Sequence, residues 1–200
     1  MKRWMQLSIL TLVAAVSLGL AFALDAPVHK WVTTNQSPML RSFMETVSRF
    51  GDWPTHLALG VILAGLAWWR GNKKWTRIFL SMLIACALAG AAARVIKIGF
   101  GRARPSVQTE AVWNGPSFSS KYHAFPSGHT AASTAFFAVL LFANWRIGVA
   151  CLPIPILIGF SRMYVAAHYL SDVVVAAILG LLCAFIVARW SLLRIEDSKR

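Results

Sequence analysis

Long apolar runs alternate with short polar clusters along this chain, and the lengths of the runs constrain the fold. Apolar residues dominate approximately 7–24, 53–69, 78–99, 129–143, 147–160 and 170–188. Several of these windows approach the roughly 20 residues that a helix needs to cross a bilayer. A soluble α-domain has room to bury one such helix, not this many. The pattern therefore predicts an all-α polytopic membrane protein with six transmembrane helices. Residues 37–51 read differently. Met39, Phe43, Val47 and Phe50 recur at spacings of three and four, which suits an external amphipathic segment on the membrane interface. Ser37 and Pro38 would open its helix. Residues 101–126 read as a long external loop rich in Gly, Pro and Ser. With no internal repeat and no soluble segment, residues 1–200 read as a single integral-membrane domain.

The first run, behind Lys2 and Arg3, has two readings. Ala21 and Ala23 resemble the cleavage site of a secretory signal, but the run exceeds the usual apolar region of one, which favours an uncleaved first span. The prolines at 153 and 155 should bend or open the fifth helix.

Charge refines the picture. Lys and Arg number 20 against 7 Asp and Glu, an excess that could serve nucleic acid. The basic residues gather instead at segment ends, in Arg70–Arg77, at Arg146 and in the tail from Arg189 to Arg200, as expected at anionic lipid surfaces. No nucleic-acid motif is present and no nucleic-acid partner is expected. With these basic loops and both termini in the cytoplasm, a six-span count puts the polar clusters on the outer side. Cys86, Cys151 and Cys183 all fall in apolar runs and read as small buried hydrophobes.

Three polar clusters remain. KIGFGRARP, residues 97–105, offers Lys97, Arg102 and Arg104 at a helix end. An ammonium and a guanidinium suit phosphate oxygens, although basic residues also anchor helix ends at headgroups. Arg102 reads as flank. In FPSGHT, residues 125–130, Ser127 can cap a helix whose free N–H groups seat an anion, with His129 beside it to give or take a proton. Plain capping with an interfacial histidine is the other reading. In the third cluster, residues 161–172, His168 and Asp172 stand four apart and share a helix face. The carboxylate can accept from one ring nitrogen and leave the other as nucleophile or ligand, or the pair can simply stabilise packing. Arg162 can meet the same anion. Asp52, His56, Arg94 and His123 lie outside the clusters. An Asp52–Arg94 pair is one reading of them, and packing or lipid anchoring is the other.

Lys97-x6-Arg104-Pro105, Pro126-Ser127-Gly128-His129 and Ser161-Arg162-x5-His168-x3-Asp172 resemble, complete and in order, the three signature motifs of the type 2 phosphatidic acid phosphatase superfamily. That superfamily includes membrane lipid phosphatases, soluble acid phosphatases and vanadium-dependent haloperoxidases. The resemblance implies a mechanism in which His168 attacks phosphorus and forms a phosphohistidine while Asp172 orients its ring. His129 protonates the leaving oxygen and then activates water. Lys97, Arg104, Arg162, Ser127 and Gly128 hold the phosphoryl oxygens. The resemblance implies neither metal nor other cofactor. For a periplasm-facing site on a bacterial inner membrane, the first substrate expected is undecaprenyl diphosphate in the outer leaflet. Phosphatidylglycerophosphate, phosphatidic acid and lipid A are the alternatives. A non-enzymatic protein that binds or transports lipid phosphates is the reading of a different class. No obligate protein partner is expected.

Overall fold

A computed structural model describes residues 2–107 and 109–191. The end of the basic tail, Arg194 to Arg200, lies outside them. The described residues fold as helices α1 (Lys2–Ala23), α2 (Asp25–Thr34), α3 (Pro38–Phe50), α4 (Trp53–Trp69), α5 (Lys73–Phe100), α6 (Gly128–Ala143), α7 (Trp145–Cys151), α8 (Pro153–Tyr164) and α9 (Leu170–Ser191).

Short polar side chains start most of these helices. Ser37, Asp52, Asn72, Ser127 and Asn144 each accept a hydrogen bond from an amide in the following first turn, satisfying donors that the helix itself leaves free. Gly101 ends α5 in the left-handed region, φ +57°. A Cβ there would lie 1.8 Å from the Gly115 carbonyl oxygen, so only glycine fits. Pro153 has no N–H and breaks the helical ladder at Leu152, where α7 passes into α8.

The expectation of six membrane-spanning helices is not met. Among the described residues three elements are long and apolar enough to cross: α5, α7 and α8 taken together as Trp145–Tyr164, and α9. A fourth is reached if Thr11–Ala23 and α2, which meet at a 53° bend, count together. The discrepancy has a physical cause. Helix α4 has 17 residues and α6 has 16, rises of about 26 and 24 Å against a hydrocarbon core of about 30 Å. The apolar run of α6 faces protein rather than lipid: every side chain from Thr130 to Leu140 is buried.

Helix α6 is the centre of the core, with α5 on one side and α9 on the other. Small residues are prominent in this core: Ala85, Ala89 and Ala93 of α5, Ala131, Ala135 and Ala138 of α6, Ala176 and Ala184 of α9. Between apolar helices in lipid there is little hydrophobic driving force, so close van der Waals packing of small residues holds them together. At Gly180 a Cβ would stand 2.7 Å from the Ala131 carbonyl oxygen, which shows how closely the two backbones approach. Helix α3 packs on α8 outside this core, with Met44 buried beside Tyr164 and with Met39, Phe43 and Phe50 exposed.

Candidate active site

At one end of the bundle α5 and α8 stop and α4, α6 and α9 begin, and the three polar clusters of the sequence lie at that end. The turn between α8 and α9 is tight. The amides of Ala167 and His168 both donate to the Arg162 carbonyl, at 3.1 and 3.2 Å. Ala166 is held at φ +54°, a left-handed conformation that costs a residue with a Cβ about 1–2 kcal/mol. The turn drives His168 inward until only 2% of it is exposed.

The His168 ring is oriented by main chain. Its Nδ1 donates to the Ala124 carbonyl oxygen at 2.6 Å, which puts the proton on Nδ1 and leaves the Nε2 lone pair free. Asp172, the orienting group expected from the spacing, stands farther off, with Oδ2 3.6 Å from Nδ1. Its carboxylate accepts instead from Arg102 Nη1 at 2.6 Å and from the Tyr169 amide at 2.8 Å. Asp172 thus places a negative charge beside the ring while its oxygens accept from Arg102 and the Tyr169 amide.

Burial pushes the His168 pKa down to about 4; Lys97 and Arg162 act in the same direction and Asp172 against them. The folded value lies below the ordinary one of about 6.5, so folding disfavours the protonated ring. The stability associated with this group is complete above about pH 6.5 and falls as pH drops towards 4. In the ligand-free protein the ¹⁵N resonances of His168 should titrate with a midpoint near 4, and a midpoint at or above 6.5 would show that burial does not govern the ring.

His129 occupies the first turn of α6, with Nε2 3.7 Å from Asp52 Oδ1, too long for a hydrogen bond. Burial is the main cause that lowers its pKa, to about 3. Arg162, His168, Lys97 and Arg104 add to it, so all four lie near enough to act on one ring. Lys97 reaches over Gly128, its Nζ 3.8 Å from where a Cβ would stand. Arg162 donates one guanidinium N–H to Ser48 Oγ on α3. Among the described residues the Nε groups of Arg104 and Arg162, like that of Arg102 in the neighbouring ion cluster, are buried without an acceptor. A buried donor left unmatched costs about 1–3 kcal/mol or more, and an anion seated among these cations would supply the missing acceptors.

Ser127 is fully buried. Its Oγ accepts from the Thr130 amide at 3.4 Å and from the Thr130 hydroxyl at 2.9 Å, while its own amide donates to the Asp172 carbonyl. It thus ties α6 to α9 and leaves the first amides of α6 facing the cations. The reading of an Asp52–Arg94 pair does not hold. Arg94 donates to His123 Nδ1 at 3.4 Å, and His123 is fixed as an acceptor there because its Nε2 donates to the Ser117 carbonyl at 2.9 Å.

A cleft of about 560 Å³ opens from His129, Gly128 and Lys97 between α4, α5 and α6. Leu57, Leu83, Ala87 and Ala91 wall it, and Arg94 and Asp52 stand in its lining. Its form, charged at one end and apolar along its walls, suits an amphiphile with an anionic head. Among the described residues no three His, Cys, Asp or Glu side chains converge on a point that could hold a metal ion.

Two residues that sequence reasoning passed over are central here. Arg102, read as flank, is 4% exposed and bonds Asp172, Ser171 and Asp25. Asp25 lies on α2, far back in the chain, and accepts from the Ser171 amide and hydroxyl. The only sequence signal was an acid closing the first apolar run and an extra arginine inside the first cluster.

Residues 78–196 match the PAP2 superfamily. Over 213 aligned residues, 96% of this chain and 84% of its relative, the sequence is 30% identical to a lipid A 1-phosphatase of Rhizobium johnstonii. The undecaprenyl-diphosphatase BcrC of Bacillus subtilis is 38% identical, but over 68 residues, 34% of this chain and 35% of that protein. The crystal structure of a transmembrane PAP2-type phosphatidylglycerolphosphate phosphatase from Bacillus subtilis superposes with a TM-score of 0.69 at 24% identity, covering 95% of this chain and 96% of that one.

Proposed function

This chain belongs to the PAP2 superfamily, and from that premise we propose that it removes the phosphate from a lipid phosphomonoester through a phosphohistidine on His168. It is a membrane-embedded lipid phosphatase. The observation that carries the mechanism is the tautomer of His168. With Nδ1–H held by Ala124 O, the Nε2 lone pair is free, and Lys97 and Arg162 lie near enough to act on the same ring.

Nε2 attacks phosphorus and the bond from phosphorus to the lipid oxygen breaks. The three cations and the first amides of α6 stabilise charge on the non-bridging oxygens. His129, neutral in the ligand-free protein, regains its proton once a phosphate anion offsets the surrounding cations, and passes it to the departing lipid alcohol. It then takes a proton from water as the water oxygen attacks phosphorus. The bond from phosphorus to nitrogen breaks and inorganic phosphate leaves. Asp172 stabilises the positive ring while the phosphoryl group is attached. The cleft on the His129 side suits the lipid leaving group.

For the substrate, we propose a lipid A-type glycolipid 1-phosphate. The observation behind this choice is the 30% identity along nearly the whole chain to a lipid A 1-phosphatase. Undecaprenyl diphosphate, placed first from the sequence, has the support of a relative aligned over a third of the chain. Phosphatidylglycerophosphate is the second reading, favoured by the shared fold of a solved phosphatase for that lipid. Arg70, Lys73, Lys74, Arg77 and Arg146 stand at the end of the bundle opposite His168. By the bias of positive residues towards the cytoplasm, a periplasm-facing site in the inner membrane follows. Phosphate release by purified protein from lipid A 1-phosphate, phosphatidylglycerophosphate, phosphatidic acid and undecaprenyl diphosphate tests the choice. The glycolipid should give the highest kcat/KM, and a tenfold advantage for any other member would overturn it.

A further inference from the structure

Arg102 is the most heavily engaged charged residue among those described. Nη1 donates to Asp172 Oδ1 and to Ser171 Oγ, at 2.6 and 2.7 Å, and Nη2 donates to Asp25 Oδ2 at 2.6 Å. The guanidinium also lies 4.3 Å from the ring centroid of Tyr169 and 4.9 Å from that of Trp113. Ser171 closes the circle by donating its amide and hydroxyl to Asp25. The side chains of Asp25, Arg102 and Asp172 are 11%, 5% and 0% exposed. One buried cation between two carboxylates leaves one net negative charge, and it stands next to Nδ1 of His168.

The same residue governs the other partner of that ring. The Arg102 carbonyl accepts from the Ala124 amide at 3.0 Å, and the Ala124 carbonyl holds His168 Nδ1. Gly101 makes the sharp exit from α5, and the antiparallel bridge between Arg102 and Trp113 fixes the loop. The planar fork presents one amino group to each carboxylate, a fixed geometry that the point charge of a lysine does not reproduce.

We propose that Asp25 and Arg102 are positioning residues for His168, with Asp25 on α2 supplying the charge that lets the catalytic end of the molecule stabilise a positively charged, phosphorylated ring. Asp25 lies outside residues 78–196, the segment matched by the family, so the N-terminal helices contribute to the site itself. With Asp25 neutral, Arg102 would be left wholly to Asp172 and would cancel its charge. The cations facing the ring, Lys97 on α5 and Arg162 on α8, with His129 on α6, would then be less opposed. A buried ion cluster contributes little to stability as such, and a specific role must be tested against mere packing.

The inference rests on His168 being the nucleophile, and rapid-quench labelling of the wild-type protein reads that separately. If the wild type forms no phosphohistidine, the proposed function fails first. If it does, Asp25→Asn and Asp25→Glu are compared on the full-length protein, with thermal unfolding in detergent as the control. Asp25→Asn keeps the shape and loses the charge. It should lower kcat about tenfold, with KM within about twofold and slower phosphoenzyme formation per folded molecule. Asp25→Glu keeps the charge at the cost of an extra methylene, and its kcat should lie well above that of the asparagine variant. A packing role predicts the reverse order, because glutamate crowds a buried site and asparagine does not. A folded Asp25→Asn protein with wild-type kcat, or a glutamate variant slower than the asparagine one, would overturn the proposal. Should Asp25→Asn fail to fold, Arg102→Lys tests the positioning half: the charge stays but the planar fork is lost, phosphoenzyme formation per folded molecule should fall tenfold or more, and a wild-type rate would overturn the proposal.

Discussion

Replacing His168 with glutamine is expected to leave a folded protein with no measurable turnover, a fall in kcat on the order of 10⁴–10⁶-fold, as seen when a catalytic nucleophile is removed. Glutamine can still donate to the Ala124 carbonyl, so the α8–α9 turn and the Arg102 network keep their partners. What is lost is the Nε2 lone pair. Lys97, Arg104 and Arg162, the groups proposed to bind the phosphate, remain, so KM, or the Kd of inorganic phosphate, should change far less than kcat. The variant therefore separates binding from bond formation. A His168→Gln protein that kept more than about one hundredth of wild-type kcat would mean that another group attacks phosphorus.

His129→Ala should be the next most damaging change, at about 10²–10⁴-fold in kcat, the usual worth of a positioned acid–base group. The loss depends on the leaving group. A lipid alcohol leaves poorly without a proton, whereas a nitrophenolate leaves without help, so phosphoenzyme formation from p-nitrophenyl phosphate should be close to normal. Its hydrolysis still needs a base for water. The variant is therefore expected to accumulate phosphoenzyme with the aryl substrate and to form it slowly with the lipid. Equal impairment with both substrates at the first step would remove His129 from the role of proton donor.

The family was legible because its signature residues are local. Lys97 to Pro105, Pro126 to His129 and Ser161 to Asp172 are each within a dozen residues, and their types carry the chemistry of phosphate without reference to the fold. The site's supporting structure was not legible. Asp25 and Arg102 are separated by 77 positions, and nothing in the spacing of either residue signals the other. The acceptor that orients His168 is a backbone carbonyl, which every residue has. The spacing of His168 and Asp172 placed the carboxylate beside the ring, but it gave no sign that the carboxylate also serves Arg102 and the Tyr169 amide.

The helix count was misread for a related reason. An apolar run records that side chains avoid water, not whether lipid or protein surrounds them. Most of the run over residues 129–143, from Thr130 to Leu140, belongs to the buried centre of the bundle, and α4, with 17 residues, falls short of a full crossing. The break at Leu152, by contrast, follows directly from the missing N–H of Pro153, a property of a single residue.

In the proposed mechanism one phosphoryl group meets both histidines and is carried by His168. Acid-quenching would destroy a phosphohistidine, so the decisive measurement is an alkaline rapid quench of the purified protein with ³²P-labelled lipid, followed by peptide mapping. Acid-labile, base-stable label is expected on the peptide containing His168, formed faster than phosphate is released. Label on His129 instead, or burst-free turnover with no labelled histidine at any time point, would contradict it.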